Sequence, residues 1–188
     1  LKTPKADPNK FGDFVKKNYD FDATVYRHYS DPMVLQHEGI KTYQSDLSNI
    51  CQSFSSKINA LDVCCGTGRF FHCLKNTRNL IGLDFSLNML KEATHPVNIT
   101  QADIKSIYLI AADASDMKKL FRADTKFDFI YSIGALGEFI ALDLPLLNSL
   151  YDLLSKNGKI YITSVKKQPS LRFYVRAALR IILEQVKL

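Results

Sequence analysis

The chain has 188 residues, 46% hydrophobic and 23% charged, which suits one globular domain with a full core. Its 25 Lys and Arg against 19 Asp and Glu leave a net charge of +6, a general attraction to anions rather than a concentrated nucleic-acid patch. No apolar run approaches the ~20 residues that span a bilayer, and the polar, proline-bearing start is not a secretory signal.

Taken in chain order, residues 1–12 are punctuated by Pro4, Pro8 and Gly12 and are expected to be mobile. The stretch from Tyr19 to Ser30 mixes aromatic and polar side chains. Asp31-Pro32 then has the form of an N-cap followed by proline in the first helical turn. Ile40, Tyr43, Leu47, Ile50 and Phe54 step by three and four, predicting one amphipathic helix over 32–55 with Gly39 as its weak point. From there strand and helix patterns alternate. Strands are predicted at 58–64, 79–84, 106–112, 127–133 and 158–164. The helices between them are predicted at 68–76, 86–93, 115–121 and 143–155, with Ser86 capping the second and Asn157-Gly158 stopping the last. Such alternation implies βαβ crossovers and an α/β fold: a Rossmann-like, doubly wound, mostly parallel sheet with helices on both faces. Pro169 opens a final helix, 170–187, on which Arg172, Arg176 and Arg180 form one basic stripe.

Cys51, Cys64, Cys65 and Cys73 lack zinc-site spacing, and Cys64 and Cys65 are adjacent at a strand end. They are expected to be reduced thiols in a cytoplasmic protein, and no metal site is predicted.

The most informative stretch is Asn59-Ala-Leu-Asp-Val-Cys-Cys-Gly-Thr-Gly-Arg-Phe-Phe71. An apolar strand ends in Asp62 and a tight Gly66-Thr67-Gly68 bend follows, the arrangement that brings bare backbone N–H groups to a nucleotide-like ligand. Two further strands run into acids, at Asp84 and Asp113, and a fourth runs through Ser132 and Ile133 into Gly134. In a parallel sheet these ends share one edge, where open α/β sheets bind ligands. The prediction is that the carboxylates of Asp62, Asp84 and Asp113 converge on one cleft beside the glycine bend.

Asp62 with Gly66-Thr67-Gly68, Gly82-Leu-Asp84-Phe-Ser86 with Met89 and Leu90, Ala112-Asp113-Ala114, Ser132-Ile133-Gly134 and Lys156-Asn-Gly-Lys-Ile-Tyr-Ile-Thr163 form an ordered set. That set resembles class I S-adenosylmethionine-dependent methyltransferases over roughly residues 58–165. The resemblance implies a tail and helical lid or substrate-side segment in residues 1–56 and a cofactor-binding core in 57–188. It also implies two strands beyond the final helix, so the chain is expected to be a fragment. S-adenosyl-L-methionine is the implied cofactor, contacted by Asp62, Cys64, Gly66, Thr67, Gly68, Asp84, Phe85, Met89, Asp113, Ala114, Ser132 and Ile133. In that scheme Asp84 takes the ribose hydroxyls and Asp113 the adenine amino group, with the Ala114 N–H on a ring nitrogen. Gly66 and Gly68 admit the methionine portion, Asp62 lies near its ammonium, and Ser132 and Ile133 offer carbonyls. Cys64 departs from the family's first loop glycine and is expected to fit if its φ stays negative.

The acceptor is less legible. Tyr26, His28, His37 and Glu138 are candidate acid–base or orienting groups, and the aromatic lead-in from Tyr19 to Tyr29 is a candidate lid. The fourth strand ends Ser132-Ile-Gly-Ala-Leu-Gly-Glu138, without the Asn/Asp-Pro-Pro-aromatic signature of many nucleic-acid amino methyltransferases. A small-molecule acceptor is therefore the leading expectation. An RNA or protein methyltransferase and a non-catalytic binding module remain alternatives. A nicotinamide dehydrogenase would want a third glycine where Phe71 stands.

Overall fold

The computed structural model describes residues 19–20, 23–137 and 140–164. The expected mobile tail at 1–12, the expected helix at 170–187 with its three arginines, and Glu138 lie outside the described residues.

Five parallel strands form one sheet in the order β3-β2-β1-β4-β5. They are β1 (Ile58–Val63), β2 (Thr77–Asp84), β3 (Ile104–Ala111), β4 (Phe127–Ile133) and β5 (Leu154–Thr163). The order reverses between β1 and β4, which opens a crevice at the C-terminal ends of those two strands. In register, Asp62 pairs with Gly82 and Tyr131, and Asp84 pairs with Ala111.

Apolar side chains cover both faces, as burial of a parallel sheet requires. On one face Ile58 and Ala60 of β1 pack with Phe71, Leu74, Phe129 and Tyr131, joined by Leu47 and Cys51 of α2 (Glu38–Gln52) and Leu90 and Ala93 of α3 (Leu87–Ala93). On the other, Leu61 and Val63 meet Met117 of α4 (Met117–Leu120) and Leu146 and Leu150 of α5 (Leu144–Asp152). Ser86 caps α3 through Met89 N–H at 3.1 Å, as predicted, and Asp143 caps α5 through Leu146 N–H at 2.9 Å.

Four predicted elements differ. The helix expected over 32–55 is broken: a π-helical turn, Tyr26–Ser30, runs into α1 (Asp31–Leu35), and His37 then leaves helical geometry at φ −72°, ψ 133° before α2 begins. His37 Nδ1 accepts the Gly39 N–H at 3.2 Å, so the ring is a helix cap. Asp31 is not the cap its local context suggested, because Ser30 before it is already helical. The helix expected over 68–76 is only a 3-10 turn, Phe71–Cys73. Phe71, His72, Cys73 and Leu74 are all buried, so the segment plugs the core on every side instead of laying one face on it. Finally, α5 ends at Asp152, and Asn157-Gly158 lies within β5 where the register to β4 shifts, not at a helix stop. No helix among the described residues is long and apolar enough to cross a membrane.

Candidate functional site

A cavity of about 1140 Å³ opens over the C-terminal ends of the strands. It exceeds the ~300–1,000 Å³ usual for one small-molecule site. Asp62, Asp84 and Asp113, the three acids expected to converge, all line it, beside Cys64, Gly66 and Thr67. Phe85, Met89, Ala114, Ile133 and Tyr26 line it as well. Gly68, Ser132 and the exposed His28 do not.

The bend between β1 and the 3-10 turn explains its glycines separately. Gly66 has φ +55°, and nothing lies within 4 Å of where a Cβ would project. A side chain there would fill cavity space instead. Gly68 has φ +72°, but a Cβ would meet the Phe71 ring at 2.8 Å and Pro96 at 3.1 Å. Its N–H is used internally, donating to Cys65 O at 3.0 Å. The close contact with Phe71 and Pro96 accounts for glycine at position 68, which is not among the cavity-lining residues.

Cys64 corrects an expectation: its φ is +64°, in the left-handed region. That conformation costs a residue with a Cβ roughly 1–2 kcal/mol and is worst for β-branched side chains. Cys64→Gly should leave the unfolding free energy within ~0.5 kcal/mol of wild type, relief of strain offsetting lost packing. Cys64→Val should cost ~2 kcal/mol or more in a urea melt. Burial, then the charges of Asp84, Asp62 and Asp113, pushes the Cys64 thiol well up, so the side chain is no nucleophile at neutral pH. All four cysteines are free.

Asp84 is built into the bend. Its Oδ2 accepts the Gly66 N–H at 2.8 Å and its Oδ1 the Ser86 N–H at 2.9 Å. A carboxylate has about four lone-pair sites, so both oxygens retain capacity. Burial raises its pKa, with those backbone donors opposing the rise. Asp113 sits exposed at the rim, where it caps the turn Ala114–Asp116 through the Ser115 N–H at 2.8 Å. Only its Oδ1 is engaged by Ser115.

Asp62 is 4% exposed, and burial pushes its carboxyl up to about 8, with the Tyr131 hydroxyl opposing and the Asp84 charge adding to the rise. The Tyr131 hydroxyl is beside it, yet it closes no hydrogen bond of good geometry; the contact is polar proximity. Asp62 is thus a buried, cavity-lining acid with no firm donor among the described residues.

Sequence reasoning missed two groups here. Asp31 is fully buried; its Oδ2 accepts the Thr67 hydroxyl at 2.5 Å and its Oδ1 accepts Arg69 Nε at 2.6 Å. Arg69 also lines the cavity, its guanidinium 5.8 Å from the Tyr26 ring centroid. The available signal was the position of Arg69 directly after the glycine bend. The segment around them closes one side of the cavity: Tyr19 and Tyr26 both line it, and Tyr19 meets Phe85 edge-on at 6.5 Å. Asp20 accepts the Ser86 hydroxyl, Asn88 donates to Asp20 O, and Arg27 donates to His95 O, all tying this segment to α3 and the loop after it.

A family model described as "Methyltransferase domain" matches residues 54–185. A demethylmenaquinone methyltransferase of Listeria monocytogenes is 31% identical over 106 residues, covering 54% of this chain and 42% of the relative. One from Oceanobacillus iheyensis is 30% identical over 122 residues, covering 63% and 48%. The chain thus spans less than half the length of these curated relatives. Among solved structures, the N-methyltransferase NodS of Bradyrhizobium japonicum, in complex with S-adenosyl-L-homocysteine, superposes with a TM-score of 0.57 at 17% identity, over 77% of this chain and 72% of that one. Phosphoethanolamine N-methyltransferase 1 of Haemonchus contortus superposes at 0.58 and 19% identity, over 90% and 34%. The matching family model over most of the chain, on a sheet with the switch-point cavity described above, means that this protein belongs to the methyltransferase-domain family.

Proposed function

We propose that the domain binds S-adenosyl-L-methionine in this cavity and transfers its methyl group to a small, planar, largely apolar acceptor. The observation that carries the reading is the set of three carboxylates around the open backbone of Gly66. Their chemistry fits the cofactor: a diol, an ammonium and an exocyclic amine are all donors, and carboxylates accept. Asp84 would take the ribose hydroxyls and Asp113, through its remaining oxygen, the adenine amino group, with the Ala114 N–H on a ring nitrogen. Phe85 and Met89 would flank the base. Asp62 would pair with the ammonium, and the Ile133 carbonyl would lie nearby. When bound, the cofactor supplies an electrophilic methyl on a sulfonium. The protein's own contribution is then to orient the two reactants in line and keep water out.

The acceptor side is formed by Tyr26, Ile40, Tyr43, Phe70, Ile133 and Ile140. Apolar and aromatic walls suit a flat ring better than a charged polymer. The two curated relatives are named for demethylmenaquinone, whose quinone head group is a flat ring of that kind. A reducing cytoplasmic setting fits the four free thiols.

Titration tests the reading directly. S-adenosylhomocysteine should raise the thermal midpoint and NADH should not; a shift with NADH alone would overturn it. Radiolabelled methyl transfer to demethylmenaquinone, chemically reduced so that its ring is electron-rich, then tests the acceptor class. Labelling of RNA but not of the quinol would overturn that part.

A further inference from the structure

We propose that Arg69, braced by the buried carboxylate of Asp31, is the docking point for the carboxylate of the cofactor's amino-acid tail. The inference rests on the cofactor reading above and assigns a residue that no motif marked.

Asp31 is fully buried, and a carboxylate in that position is tolerated only when its oxygens are well bonded. Thr67 and Arg69 supply those bonds, one to each oxygen, from either side of Gly68. The ion pair therefore fixes the direction of the Arg69 side chain relative to the glycine bend. It uses only one of the five guanidinium donors, the Nε–H. The Nη groups have no hydrogen-bond partner among the described residues, and the side chain, 21% exposed, lines the same cavity as Asp62 and Gly66. The Tyr26 ring supports the guanidinium from another side. A braced guanidinium with unused donors is matched to a carboxylate, which it binds through two parallel N–H groups.

Asp62 precedes the bend and Arg69 follows it, and both face the one cavity. An α-amino acid end carries one ammonium and one carboxylate on the same carbon. A fixed acid and a fixed guanidinium at opposite ends of a short bare loop form the complementary pair. An uncharged tail, or none, would leave the Nη donors of Arg69 facing the cavity without an acceptor among the described residues.

Calorimetry with ligands that differ only in that tail tests the proposal. Wild-type protein should bind S-adenosylmethionine at least tenfold more tightly than its decarboxylated form. Arg69→Lys keeps a charge for Asp31 but loses the fork. It should weaken S-adenosylhomocysteine at least tenfold while changing the affinity for 5′-methylthioadenosine, which has no amino-acid tail, less than twofold. Equal binding of the carboxylated and decarboxylated forms by wild type, or equal losses for both ligands in Arg69→Lys, would overturn the role of Arg69. In that case retained binding of 5′-methylthioadenosine would leave the cofactor reading standing. Failure of wild type to bind any of these nucleosides would overturn both. The wild-type comparison requires no variant to fold.

Discussion

An Asp84→Ala variant should lose most of the thermal stabilisation that S-adenosylhomocysteine gives wild type. Ligand at 100 times its Kd adds about 2.7 kcal/mol, which in a domain of this size raises the midpoint by roughly 5–11 °C. Two ribose hydroxyls on a carboxylate are worth roughly 1.5–3 kcal/mol each. Their loss lowers affinity by ~10²–10⁴-fold and leaves a shift of about 2 °C or less at the same ligand concentration. The variant also removes the acceptor that holds the Gly66 and Ser86 N–H groups, so its ligand-free midpoint should fall as well. Differential scanning fluorimetry with and without ligand separates the two effects. A wild-type-sized shift in the variant would remove Asp84 from the ribose site.

The second large effect is on pH. Burial raises the Asp62 carboxyl to about 8, from a value near 4 in the unfolded chain. The folded state therefore holds a proton that the unfolded state has released throughout that interval. The associated stability is present in full below pH 4 and is lost as pH rises through 8, by as much as ~1.4 kcal/mol per pH unit. Raised in the same direction by burial, Asp84 adds to the slope. Ligand-free protein should accordingly lose stability between pH 5 and 8 in urea melts, and Asp62→Asn should flatten that profile. Affinity should move the opposite way. Pairing with an ammonium requires the ionised carboxylate, so the cofactor should bind roughly tenfold or more tightly at pH 8 than at pH 6 and release a proton at pH 7. Calorimetry in buffers of different ionisation enthalpy would detect that proton. A pH-independent affinity would detach Asp62 from the ammonium.

How much of this was legible depended on whether the controlling contacts were local. Strands were readable because a parallel sheet buried on both faces needs runs dominated by apolar residues, such as Phe127–Ile133, where only Asp128 and Ser132 interrupt. Their acidic ends were readable because each acid follows its run directly. The stretch 68–76, predicted as a helix, holds only the 3-10 turn Phe71–Cys73. Phe70, Phe71, Cys73 and Leu74 have helical spacing, but the pattern could not reveal that His72 between them is buried too. Asp31 before Pro32 carries a sound local capping signature. Only Thr67 and Arg69, 36 and 38 positions away, turn it into an interior anchor. Cys64 needed a backbone angle that no side-chain pattern encodes.

The two halves of the cavity wall come from different parts of the chain. Asp62, Gly66, Asp84 and Asp113 arise at the ends of β1, β2 and β3, whereas Tyr26, Ile40, Tyr43, Ile133, Ile140 and Thr163 come from the leading helical segment and from the ends of β4 and β5. Changes of specificity can thus accumulate in the second group while the first is left untouched. A chimera that exchanges only residues 40–43 with those of a relative, leaving Tyr26 and Asp31 in place, should be retargeted to another acceptor and keep its hold on the methyl donor.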